Sequence, residues 1–233
     1  MKRTVLTLIF LLIGWMAKAQ VWSVGGHFNS SFAQRKLAEE TPGLHLPTLS
    51  GFLIYEAPTL PLSVGLEFGY GVYGSKLERR TDLYEGFSDE LRLRRNNNLA
   101  SGMILLRYQT NPMGKIRHFF EAKFGTHYLY TRYKIRESIL SEEVIESGKD
   151  LSSWTLGYGL GTGIQIPIQA ETGLFLELKA AYQTSNGLRF LTKGDASFNP
   201  LPGGGGTFDY QIRRAPLELM TFSVGVIYVG VFE

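Results

Sequence analysis

The chain is 233 residues long, with no cysteine, 27 glycines, 12 tyrosines and 15 phenylalanines, a length suited to one or at most two domains. The absence of cysteine excludes a disulfide-stapled fold and thiolate metal sites. The formal charge of +3 comes from a leader-like segment: without Lys2, Arg3 and Lys18 the 24 basic residues fall to 21, against 21 acidic ones, and the global support for a nucleic-acid ligand disappears.

Residues 1–19 read as a Sec signal peptide. Lys2 and Arg3 precede the apolar run Val5 to Ile13, and Ala17-Lys18-Ala19 places cleavage before Gln20. The rest, 20–233, is expected to be one domain. It has no stretch approaching the roughly 20 apolar residues of a helical span, which excludes a helical inner-membrane protein. Its dominant signal is alternation.

Eight alternating segments follow in chain order, at about 21–32, 48–57, 62–76, 97–110, 117–133, 152–167, 173–187 and 217–232. The first two are the least regular, since Phe52 and Ile54 share a face with Glu56. In the third, Val64, Leu66, Phe68, Tyr70 and Val72 alternate with Gly65, Glu67, Gly69 and Gly71; in the fifth, Phe120, Ala122, Phe124, Thr126, Tyr128 and Tyr130 alternate with Phe119, Glu121, Lys123, Gly125 and His127. The sixth sets Trp154, Leu156, Tyr158, Leu160, Thr162 and Ile164 against Thr155, Gly157, Gly159, Gly161, Gly163 and Gln165. Four glycines on one side suit a strand facing a crowded interior, and no helix would present them so. The seventh and eighth repeat the pattern with Leu174 to Tyr182 and Met220 to Phe232.

The connections alternate in length. Short ones occur at 57–61, 111–115 and 169–173, and long ones at about 33–47, 77–96, 134–151 and 188–216. Short periplasmic turns alternating with long outer loops are the connectivity of outer-membrane barrels, and an even strand count puts both mature termini in the periplasm. A soluble β-sandwich or lipocalin-like barrel would also alternate. Its water-facing side would be polar, however, whereas here the minority face is small and glycine-rich, and the segments exceed the usual five or six residues. The expected fold class is therefore all-β, an eight-stranded antiparallel transmembrane up-and-down β-barrel. Trp22, Tyr73, Tyr108, Tyr130 and Trp154, near segment ends, suit interfacial girdles.

On Ala17-Lys18-Ala19-Gln20, the segment Leu62 to Gly71, the strand and turn Leu105-Leu106-Arg107-Tyr108-Gln109 with Asn111-Pro112, and the terminal aromatic Phe232, the chain resembles the small eight-stranded outer-membrane β-barrel proteins of the Bacteroidota, similar to the OmpA and OmpX barrel class. The resemblance covers essentially all of 20–233. It implies an outer-membrane location, contact with outer-membrane lipid and lipopolysaccharide, and a C-terminal aromatic, Phe232, read by the barrel insertion machinery; here Glu233 follows that aromatic. Some barrels of this appearance serve in type IX secretion or in outer-membrane protein assembly.

An eight-stranded barrel leaves an interior just wide enough for side chains. The expected lumen network is Glu56, Glu67, Arg107, Glu121, Lys123, His127, Glu177 and Lys179, with His27 nearby. Unpaired buried charges are costly, so these groups should form ion pairs, gathered toward the short-turn end as a plug. Enzyme signals are thin: no spaced metal-ligand motif, no catalytic residue and no cofactor site is indicated, and Gly203 to Gly206 have no strand-to-helix context for phosphate binding. The outer loops are the expected functional surface, with Arg79, Arg80, Arg92, Arg94 and Arg95 as candidate contacts to lipopolysaccharide phosphates, to another outer-membrane barrel or to a surface lipoprotein. Since the first strand follows Gln20 and the last runs to the end, a peptidoglycan-anchoring domain is not expected. The leading function is a non-enzymatic structural or accessory subunit of an outer-membrane complex. The alternative is a small transport barrel or lipid-modifying enzyme using the polar lumen around His27 or His127.

Overall fold

In the computed structural model, which describes residues 20–57, 60–85, 89–110, 116–137, 143–202 and 204–232, the alternating segments form eight long strands closed into an antiparallel barrel. They are β1 (Gln20–Ala33), β2 (His45–Glu56), β3 (Leu62–Arg80), β4 (Leu91–Gln109), β5 (Arg117–Arg136), β6 (Glu146–Gln169), β7 (Leu174–Ser185) and β12 (Leu219–Phe232). Between the last two lie the short strands β8 (Gly187–Phe190), β9 (Ala196–Pro200), β10 (Gly206–Tyr210) and β11 (Arg213–Pro216), and one short helix, α1 (Arg35–Glu40), follows β1. Barrel strands adjacent in sequence are adjacent in space, and β1 closes on β12 from Gln20 opposite Phe232 to Ala33 opposite Leu219. The expected signal peptide, 1–19, lies outside the described residues.

Strand period fixes what faces where. On β3 the residues Val64, Leu66, Phe68 and Tyr70 point outward, and Ser63, Gly65, Glu67 and Gly71 point inward and are buried. On β6 Trp154, Leu156, Tyr158 and Leu160 are outward, leaving the four glycines inside. Those glycines make room for large neighbours: a Cβ on Gly163 would stand 2.4 Å from the Phe119 ring, and one on Gly159 would stand 2.9 Å from the Gln183 side chain. On β2 both faces are apolar, because Phe52 and Ile54 are buried inside while Leu49 and Leu53 are exposed outside. That double-sided occupancy is why its alternation is weak in the sequence.

Four strands run further than their sequence pattern suggests. β3 and β4 stay paired up to Arg80 opposite Leu91, and β5 and β6 up to Ile135 opposite Glu146, over stretches expected to be loop. Register shifts at Val72/Gly74 and at Thr131/Arg132 switch which alternate residues of β3 and β6 face out. The inner face of this extended wall carries Leu91, Leu93 and Ile135, packed with Leu83 and Phe198. The last long connection is also not open loop. It folds into two ribbons, β9–β10 and β8–β11, of which the second joins a buried cluster of Leu37, Leu46, Leu99, Leu129, Leu188, Phe190, Leu217 and Leu219 across the barrel mouth.

Candidate functional site

The lumen is organised around Arg107, contributed by β4 and buried. Its Nη2 lies 2.7 Å from Glu121 Oε2 and 2.9 Å from Glu177 Oε1, and its Nη1 lies 2.8 Å from Glu177 Oε2. The guanidinium carbon sits 4.0 Å from the centre of the Phe119 ring. A planar fork can donate to two carboxylates at once and stack on an aromatic face, which a lysine ammonium cannot do. Lys179 Nζ joins Glu121 at 3.1 Å and Glu67 at 3.4 Å, and Lys123 Nζ joins Glu67 at 2.5 Å and Glu121 at 3.4 Å. Glu177 also accepts from Gln165 Nε2 at 2.9 Å and contacts His27 Nε2 at 3.0 Å. Three carboxylates thus face three basic side chains: Lys123 and Lys179 close a ring with Glu67 and Glu121, and Arg107 joins that ring to Glu177. Such balance is required where the desolvation of each ion costs several kcal/mol, of the order recovered only by good geometry.

Of the expected lumen residues, Glu67, Arg107, Glu121, Lys123, Glu177 and Lys179 are brought together, and His27 joins them through Glu177 while stacking on Phe52 at 4.6 Å. Glu56 and His127 make no hydrogen bond or ion pair with this group among the described residues, although His127 lines the same small cavity as Glu67, Lys123 and Lys179. Glu56 accepts a hydrogen bond from Ser23, and neither ring nitrogen of His127 has a hydrogen-bond partner among the described residues. The reason is position: Glu56 is the last residue of β2, and His127 lies further along β5 toward the barrel mouth than Lys123. Gln165 and Phe119 carry no charge and so give no signal of membership in an ionic network, although alternation places both on the inner face.

Toward the mouth the ionic circuit gives way to a neutral polar layer, in which Asn29 bonds Ser50 at 3.0 Å and Ser31 bonds Thr221 at 2.8 Å. The free volume there is about 30 Å³, room for roughly two waters. The leucine-rich cluster closes it above. Beside the circuit, Phe52, Ile54, Met103, Leu105, Phe175 and Ile227 form an apolar cluster. The lumen is therefore largely filled by these side chains among the described residues.

The five loop arginines divide. Arg80 and Arg95 lie on the inner face of the extended wall, which corrects their grouping as outward contacts. Arg80 pairs with Glu78 at 3.1 Å and Asp82 at 3.3 Å, and its guanidinium sits 4.7 Å from the Phe198 ring centre. Arg95 is buried, pairs with Asp150 at 2.9 Å and sits 4.1 Å from the Phe208 ring centre, while Tyr210 also donates to Asp150 at 2.9 Å. Arg79, Arg92 and Arg94 remain on the outer face. The β8–β11 ribbon is held down by Arg213, which pairs with Asp195 through two bonds of 2.8 and 2.9 Å. The backbone of Phe232 pairs with Gln20.

The chain has no cysteine, and no cluster of three or more His, Asp or Glu able to hold a metal occurs among the described residues, so there is neither a catalytic metal nor a cysteine centre among them. No protein-family model and no curated protein matches the chain. Solved structures do. A major outer membrane protein from Thermus thermophilus matches with 15% identity and a TM-score of 0.49 over 91% of this chain and 100% of that one. The attachment invasion locus protein Ail of Yersinia pestis matches with 11% identity and a TM-score of 0.40 over 91% and 99%. Neisserial surface protein A matches with 11% identity and a TM-score of 0.39 over 91% and 97%.

Proposed function

We propose that this chain is a non-enzymatic barrel spanning a bacterial outer membrane, of the Bacteroidota type its sequence resembles, and that it acts as a structural or accessory subunit of an outer-membrane complex in secretion or assembly. One observation carries the membrane reading. The outward face of a closed barrel is apolar all round, with Leu49, Phe68, Trp154 and Leu160 each about two-thirds or more exposed, which water would not tolerate on this scale. The shortest barrel strands, β2 and β7, have 12 residues each, enough for the roughly 9 to 11 residues of a tilted span. In this orientation the short turns, Gln20 and Phe232 face the periplasm, Phe232 serves the insertion machinery, and the extended wall and ribbons stand outside.

The filled lumen and the built rim support the accessory role. A barrel whose interior is an ionic circuit under a leucine cap offers its outer wall and rim to the surroundings, and the rim is a folded platform held by Arg95–Asp150 and Arg213–Asp195. A transport path or lipid-modifying centre at His27 or His127 has less to stand on. His27 is engaged by Glu177 and Phe52, and His127 has no side-chain partner that would activate a nucleophile among the described residues.

The test is extraction of the native protein from outer membranes in mild and in harsh detergent, followed by native gels and mass spectrometry. Migration with a stoichiometric partner in mild detergent alone is the expected result. A solitary barrel in both detergents would overturn the accessory role.

A further inference from the structure

Above the aromatic girdle the outer face of β3–β6 turns abruptly basic. The girdle row reads Tyr70, Ala100, Tyr128 and Trp154 in register, with Tyr128 and Trp154 stacked at 4.4 Å and Tyr128 and Tyr130 at 5.0 Å. Next along the wall come three cross-strand rows beyond the two register shifts. The first is Ser75, Asn96, Arg132 and Lys149; the second is Leu77, Arg94, Lys134 and Ser147; the third is Arg79, Arg92 and Arg136. No acidic residue stands in these rows. Among the described residues only Arg79 of this set makes an ion pair, with Glu90 at 3.6 Å.

Like charges directly opposite on neighbouring strands repel, so stacking Arg94 on Lys134 and Arg92 on Arg136 is unfavourable unless an anion lies across them. The rows enclose a groove of about 330 Å³ lined by Ser75, Leu77, Arg92, Arg94, Asn96, Lys134 and Arg136. Arg92 Nε and Arg136 Nε are buried without a hydrogen-bond partner among the described residues, donors that a bound oxyanion would satisfy. Lys149 Nζ lies 5.6 Å from the Tyr128 ring centre and 5.5 Å from that of Tyr130, joining the basic rows to the girdle.

We infer that this wall is a binding site for the headgroup of a multiply phosphorylated glycolipid of the surrounding leaflet, its acyl chains lying on the apolar belt and its phosphates on the arginine rows. The inference rests on the membrane reading above. A single phosphate would meet one row. The first and third rows are four residues apart, about 13 Å along a strand, a span that suits two phosphates carried on a sugar scaffold.

The full chain, folded in mild detergent, is titrated with diphosphoryl lipid A, monophosphoryl lipid A, phosphatidylglycerol and phosphatidylcholine, and bound lipid is counted by native mass spectrometry. Insertion into phosphatidylcholine vesicles is scored separately by flotation. The variant R92Q/R94Q/R136Q is compared with R189Q/R214Q, which removes two exposed arginines elsewhere on the rim; R94Q alone serves if the triple variant does not fold. Expected is preference for diphosphoryl lipid A, weakened at least about tenfold by the triple change, measurably by R94Q, and untouched by the control. Equal binding by wild type and variants, or equal binding of all four lipids, overturns the site. Binding of a soluble heparin fragment at these arginines without lipid A binding also overturns it, in favour of a free polyanion. Wild type that inserts yet shows no lipid preference sinks this inference alone, whereas failure to insert sinks the membrane reading with it.

Discussion

A Cβ placed on Gly157 would stand 2.5 Å from both Cδ2 and Nε2 of the His127 imidazole, which lies over it from the neighbouring strand. The glycine and the histidine therefore fill one lumen volume between them. Substituting Gly157→Val should strain this layer by roughly 1–3 kcal/mol, the usual cost of overpacking. Adding His127→Ala should recover much of that loss, because the clash partner is then gone. Urea midpoints of the two single variants and the double variant, read by the heat-modifiable gel shift, test this; additive losses would show that the two residues do not share the space.

Arg107 is the group with the most to lose in the ionic circuit. Changing Arg107→Met leaves Glu121 and Glu177 buried without their main cation and should cost about 3–5 kcal/mol. Arg107→Lys should recover part of this, since an ammonium supplies the charge but cannot fork between two carboxylates. Unfolding in denaturant of all three proteins in the same detergent orders them; a methionine variant as stable as wild type would mean that the circuit does little for the fold.

Much of the barrel is legible in the sequence because period 2 is a direct image of inside and outside. The charged residues of β3, β5 and β7 fall on one face, so their convergence follows from closure alone. What alternation does not carry is position along the axis, and that is where Glu56 and His127 depart from the circuit. The extended wall is obscured for a different reason. Near Arg79 and Arg94 both faces are charged, and the register shifts at Val72/Gly74 and Thr131/Arg132 break the period where the strands leave the apolar belt. On β4 itself the period is unbroken, so Arg95 shares the inward parity of Met103 and Arg107 while Arg94 faces out; what the sequence hides is that the strand runs on this far, and that Asp150 and Phe208, far along the chain, receive Arg95.

Leu160 lies midway along the outward face of β6 between Trp154 and Ile166, with 72% of its surface exposed. At the middle of a bilayer Leu160→Arg should destabilise the barrel by about 2–4 kcal/mol. On a water-facing wall the same change would stay within about 0.5 kcal/mol. Folding into phosphatidylcholine vesicles, compared with the exposed rim change Arg214→Gln, distinguishes the two environments. A neutral effect at Leu160 would count against a spanning wall.

Asp195 and Arg213 make the β8–β11 part of the rim pH-dependent. Burial opposes ionisation of Asp195, but the two bonds from Arg213 and those from the Thr192 backbone and hydroxyl outweigh it and hold the carboxyl below its ordinary 3.8. Because the folded value is depressed, the stabilisation is fully present above the ordinary value and is lost as pH falls through the folded one. The β8–β11 ribbon should therefore stay protected from amide exchange from neutral pH down to about 4 and loosen below it. In Asp195→Asn the ribbon should exchange faster at neutral pH and respond little to acid over that window. Exchange followed by mass spectrometry on peptides covering 187–200 reads both effects, and an acid response unchanged by the substitution would assign the loosening to another group.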